Sequence, residues 1–178
     1  MITKLYKNIN DSIHYHEAWD NGNKVIVHWG KLGTIGEDEI IAIKHNETAQ
    51  GVIERELSEA ISNGFQEIDI DDHKTLVIQY KTETWGNEKD LEKRYAVEDI
   101  ANECLGWTGN GICDGGQIGS GSIEIFSYVI DPQIACISLI AELEKKGFLD
   151  GAIIAFENED EDYIVLHPED FHNPFSFF

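Results

Sequence analysis

Asn21-Gly22 sits between two runs of alternating side chains, Ser12 to Trp19 and Lys24 to Trp29. An Asn-Gly pair tolerates positive φ at both central positions of a tight turn, and that backbone hand matches the twist of paired strands. The two runs are therefore expected to fold back on each other as an antiparallel hairpin. In the first run Ile13, Tyr15 and Glu17 alternate with His14, His16 and Ala18, the period-two pattern of a strand. Glu39 to Lys44 is a further short β-branched segment, which makes a three-strand meander.

The period then changes. Val52, Ile53, Leu57, Ala60 and Ile61 recur at helical spacing, with Thr48 or Asn46 as N-cap and Gly64 as the stop. "DIDDHKT" follows as a polar linker, so the domains are expected at residues 1–70 and 74–178. Beyond it, strands are expected over Leu76 to Thr82, within Gly111 to Ile118, and over Ile123 to Ile130, Ala152 to Phe156 and Tyr163 to Leu166. Helices are expected over Leu91 to Leu105 and from Asp131-Pro132 to Lys146, where aspartate caps, proline suits the first turn and Gly147 ends the helix. Ile134, Ile137, Leu139, Ile140 and Leu143 supply this last helix with apolar surface. The fold class is α+β. A small antiparallel sheet with one helix precedes a β-α-β-β-α-β domain with an added edge strand, the ferredoxin-like arrangement.

With 42% hydrophobic residues the chain can build packed cores. Its 34 acids against 13 bases give a net charge of -21, carried by both halves: 6 bases and 14 acids over residues 1–72, 7 and 20 over residues 73–178. Such a surface repels a phosphate backbone and fits a basic protein partner. One concrete form of that partner is a cationic toxin that an immunity-type protein would neutralise. No apolar run reaches about 18 residues and the N-terminus has no leader pattern, so the expected location is cytoplasmic with no membrane association. Cys104, Cys113 and Cys136 are odd in number and lack C-x-x-C spacing, which points to reduced thiols.

The motifs that could carry chemistry resolve into structure. "DGGQIGSG", Asp114 to Gly121, lacks the lysine of a phosphate loop and precedes a strand, and it reads as a hairpin or bulged turn. "ENEDED", Glu157 to Asp162, lacks the glycine and glutamate of a calcium loop and reads as a solvated turn. His14 and His16 share a strand face, and His28 would join them only if the hairpin pairs them, so no metal ligand set is assigned. No nucleophile motif or paired carboxylate is legible, and neither an enzymatic activity nor a cofactor is expected. Phe175, Phe177 and Phe178 end the chain. They are expected either to dock on the chain's own sheet or between its domains, or to join a partner or a second copy in a homo-oligomer.

Tyr15 and Trp19 on the first strand, the Asn21-Gly22 turn, the run Trp29-Gly30-Lys31-Leu32-Gly33-Thr34-Ile35-Gly36 and a helix ending in Gly64-Phe65 form an ordered pattern. Over about residues 1–70 it resembles a WGR domain, the module of poly(ADP-ribose) polymerases and bacterial regulators. The resemblance implies a small sheet with one helix, no catalysis, and a role in binding nucleic acid at DNA ends. Carried over, Trp29 would stack or pack against a sugar and Lys31 would meet a phosphate. Lys31 stands where the family has arginine, which keeps the charge and loses the bidentate fork. Glu37, Asp38 and Glu39 then put three acids beside it, a surface for a basic protein rather than DNA. Read from the residues alone, the glycines permit a tight connection and Trp29 covers the small sheet's core. Trp29, Lys31, Glu37, Asp38 and Glu39 are the candidate contact residues.

Overall fold

A computed structural model describes residues 2–83 and 85–177 of the 178-residue chain. They build an α+β protein with two antiparallel sheets, of four and five strands, and three α-helices among the described residues. The chain divides into two compact units: Met1–Asp69 with Trp107–Gly109, and Ile70–Gly106 with Asn110–Phe178.

The first unit holds β1 (Ile2–Ile9), β2 (Ser12–Asp20), β3 (Lys24–Lys31) and β4 (Glu37–Ala42) in that spatial order, followed by α1 (Ala49–Ser62). The meander therefore has four strands, one more than the sequence pattern indicates. Asn10 and Asp11 close the β1–β2 hairpin, both at positive φ (51° and 61°), with Ile9 opposite Ser12. This is the two-residue turn geometry expected of Asn21-Gly22. At that second turn only Gly22 takes positive φ (76°), and Asp20 pairs with Val25 across a longer loop closed by Asn21 N–H on Lys24 O (2.8 Å).

α1 starts where Thr48 accepts a hydrogen bond from Gly51 N–H (3.1 Å) and ends before Gly64, whose φ is 88°. Its buried stripe, Val52, Ile53, Leu57 and Ala60, packs with Leu5, Ala18, Val25 and Val27 of the sheet. The part of the sheet that α1 covers is thus apolar. The opposite face carries a different set of residues, and the candidate site lies there.

The second unit holds β5 (Lys74–Lys81), α2 (Glu88–Trp107, its last residue in the first unit), β6 (Gly111–Gly119), β7 (Ser122–Val129), α3 (Pro132–Lys146), β8 (Ile153–Glu157) and β9 (Tyr163–His167). The strands run β6-β7-β5-β8-β9 across the sheet, each neighbour antiparallel. Leu76, Ile78, Ile123, Ile125 and Ile154 pack against Val97, Ala101 and Leu105 of α2 and Ala135, Leu139 and Leu143 of α3. Asp131 caps α3 by accepting from Ile134 N–H, and the fully buried Asn110 holds Asp131 by two hydrogen bonds to its main chain. Ile137 departs from the expected apolar surface: it lies off the buried stripe and is 70% exposed.

The glycine-rich stretch is the β6–β7 hairpin, with a bulge between Cys113 and Gly115 and a turn at Ser120-Gly121. The acidic run forms the β8–β9 loop, where the Asn158 carboxamide oxygen accepts from Asp160 and Asp162 N–H. No disulfide joins the cysteines, and burial pushes the thiols of Cys104 and Cys136 up to about 11.

Candidate functional site

Register decides which side chains of the first sheet meet. β1 pairs Lys4 with Glu17, β2 pairs Glu17 with His28, and β3 pairs His28 with Asp38. Directly opposed residues share a face, so these four form one row across the sheet on the side away from α1. Lys4 Nζ lies 2.9 Å from Glu17 Oε2, and Glu17 Oε1 lies 2.7 Å from His28 Nδ1. Glu17 is 2% and His28 1% exposed, so the middle of the row is ionic and buried.

His28 is held at both ring nitrogens. Nδ1 faces a carboxylate and Nε2 faces the carbonyl oxygen of Ile35, with the Tyr15 hydroxyl 3.0 Å away. Carboxylate and carbonyl oxygens only accept, so these partners favour a ring that donates from both nitrogens, the protonated form. Burial alone would lower its pKa. The hydrogen bonds to Glu17 and Ile35 and the charges of Glu17 and Asp38 outweigh burial and hold it above the usual histidine value. The indoles of Trp107 and Trp19 meet the ring edge-on at centroid distances of 5.1 and 6.3 Å, and are 6.0 Å from each other.

Tyr15 joins this row to the signature loop. Its hydroxyl lies 3.0 Å from Thr34 O and 2.9 Å from Ile35 O, and burial chiefly, with the charge of Glu17, raises its pKa. Gly36 stands at φ 69°, and a Cβ there would collide with Trp29 O and sit 2.5 Å from Tyr15 Oη. A Cβ on Gly30 would lie 2.9 Å from the same hydroxyl, and one on Gly109 would enter the tyrosine ring. Three glycines thus clear the space that Tyr15 fills. Tyr6, beside Tyr15 on β1, donates to Gly109 O at 3.0 Å.

The residues singled out in the sequence fall on both faces. Trp29 is half-buried on the helix side, packed on the core and stacked on His16 with ring centroids 5.8 Å apart. Lys31 is exposed at the end of β3. Glu37 and Glu39 stand opposite Trp29 and Val27 on the helix side, while Asp38 stands opposite His28 on the other; all three are exposed. His14 and His16 share the helix side and His28 points away from them, so the three histidines do not converge. Tyr15, Glu17 and Lys4 complete the His28 site and were not expected there. Their signal is the cross-strand row, which appears only once β1 is placed.

In the second unit a buried carboxylate, Glu124, is held by neutral donors, with no cation paired to it among the described residues. Ser122 Oγ (2.8 Å) and Gln79 Nε2 (3.1 Å) donate to its Oε1, and Gln117 Nε2 donates to Oε2 at 2.6 Å. Gln79 Nε2 also lies 3.0 Å from Ser176 O of the C-terminal segment. Phe175 stacks on Tyr163, and Phe177 meets Tyr163 and Phe126, all within this unit. Phe178 lies outside the described residues. No family model matches the chain, and neither a curated protein nor a solved structure matches it significantly.

Proposed function

We propose that the protein is a non-enzymatic acidic binding module of the cytoplasm that recognises a basic protein, with immunity-type neutralisation of a cationic toxin as one instance. The observation that carries this reading is the placement of Glu37, Asp38 and Glu39, three consecutive exposed acids on β4, in a chain of net charge -21. A surface of one sign speeds encounter with a partner of the other and repels its own kind. The first unit is read as WGR-like, supported by the four-stranded sheet with one helix and by Trp29-Gly30-Lys31 at the end of β3. The second is read as ferredoxin-like, supported by its β-α-β-β-α-β order with β5 and β7 adjacent and antiparallel.

Exposed Lys31 favours a second reading, binding of nucleic-acid ends. Against it stands Trp29, which is half-buried, packed against the core and stacked on His16. The test sets both ligands against the full chain. Binding to cationic proteins that weakens as salt rises, with no complex on nicked, single-stranded or blunt DNA at low salt, is the expected result. A stable DNA complex at low salt, or partners that are neutral and salt-insensitive, would overturn it.

A further inference from the structure

We infer that β4 is a docking edge for an extended strand of the basic partner, which adds to the first sheet with cationic side chains on its Glu37/Glu39 face and an apolar one over Ile40. The inference rests on the basic-partner reading and deepens it by naming the surface and the mode of contact. β4 is the outer strand of the sheet: its one strand neighbour is β3, and its opposite edge is unpaired among the described residues. The other edge of the sheet differs. On β1, Tyr6 exchanges both main-chain hydrogen bonds with Gln66 (2.8 and 3.1 Å), so the middle of that edge is already covered.

An unpaired edge presents main-chain donors and acceptors that a second strand can satisfy. Glu37, Asp38, Glu39 and Ile40 are all exposed, and residues 37–42 contain neither proline nor a bulge, so the edge is straight enough to accept one. Charge selects the occupant. A second copy of this chain carries the same net charge of -21 and is repelled, whereas a strand bearing lysine or arginine forms opposite-charge cross-strand pairs with Glu37 and Glu39. Asp38 and Ile40 lie on the other face. There Ile40, 57% exposed, ends a row of apolar residues formed with Ile26, Trp19 and Ile2 on the neighbouring strands, which an apolar partner residue extends.

The experiment uses the full chain, labelled for amide-resolved NMR, and three synthetic peptides: alternating Lys-Val, a lysine-rich helix former of equal charge, and alternating Glu-Val. The Lys-Val peptide is expected to slow amide exchange along residues 37–42 and to bind more tightly than the helix former. Joint replacement Glu37→Lys and Glu39→Lys is expected to weaken it by about fivefold or more, since two favourable pairs become repulsive. The same variant is expected to leave the amide spectrum of the second unit unchanged. If cationic peptides bind in a salt-sensitive way but leave β4 exchange unaltered, or the helix former protects β4 equally, edge pairing is overturned and the basic-partner reading stands. If no cationic peptide binds, both fall.

Discussion

His28 Nδ1 donates to Glu17 Oε1 at 2.7 Å across neighbouring strands, in a position where both side chains are almost fully withdrawn from water. Two buried ionic groups that satisfy each other gain little over an apolar pair, but removing one leaves the other desolvated and uncompensated. Replacement His28→Ala is therefore expected to destabilise the first unit by about 3–5 kcal/mol. Glu17→Gln is expected to cost a comparable amount, because it strands His28 and Lys4 together. Denaturant unfolding followed by indole fluorescence measures both, and a loss below about 1 kcal/mol for either would show that water reaches the row.

The same relationship makes stability depend on pH with a defined sign. The folded state raises the pKa of His28, so the stabilisation is fully present below the unfolded histidine value of about 6.5 and is lost as pH rises through the folded value. His16 behaves oppositely. Burial lowers its pKa, with Glu59 partly opposing, so its contribution is present above about 6.5 and is lost as pH falls through its folded value. Comparing the protein with its His28→Gln variant cancels the His16 contribution. The difference in unfolding free energy is expected to shrink as pH rises above the unfolded histidine value of about 6.5. A difference that is flat or grows with pH would mean that His28 is neutral in the folded state.

Gly36→Ala tests the space around Tyr15. Both Gly36 and Gly22 have φ near the left-handed region, at 69° and 76°, and an added Cβ is strained at either. Gly22 has nothing within 4 Å, while at Gly36 the Cβ meets Trp29 O and Tyr15 Oη. Gly22→Ala is expected to cost about 1 kcal/mol and Gly36→Ala more than about 2 kcal/mol. Equal losses in thermal or denaturant unfolding would leave backbone strain as the whole effect.

What the sequence reveals of this fold depends on how local the cause is. The caps Thr48 and Asp131, the stop at Gly147 and the alternation in β2 act within a few residues, and each is readable where it stands. β1 is not. Its helix-facing residues Thr3, Leu5 and Lys7 include one buried apolar side chain, and Lys4 on the other face is drawn in by Glu17 rather than by its own hydrophobicity. The same limit hides the His28 site: residues 4, 17 and 28 align only through the register of two hairpins, and Trp107 and Gly109 come from far along the chain. The signature glycines were legible as a tight connection, but the tyrosine ring that requires them was not. Trp29, the tryptophan of the Trp29-Gly30-Lys31 run, packs half-buried against the core.

Glu124 in the second unit separates the need for a charge from the need for an acceptor. Its carboxylate receives Ser122 and Gln79 at one oxygen and Gln117 at the other. Glutamine at this position keeps one oxygen for Ser122 and Gln79 and turns its amide nitrogen toward Gln117. The Gln117 carboxamide can then flip and accept, whereas Gln79 is fixed by its contact with Ser176 O. Glu124→Gln is therefore expected to cost about 1 kcal/mol, the difference between a charged and a neutral acceptor. Glu124→Leu takes the acceptor from buried Ser122 and one of two from buried Gln79, while exposed Gln117 turns to water, and it is expected to cost about 2 kcal/mol or more. Denaturant titrations of the two variants decide the matter: equal losses would mean that the negative charge itself, and not the pattern of acceptors, holds this row together.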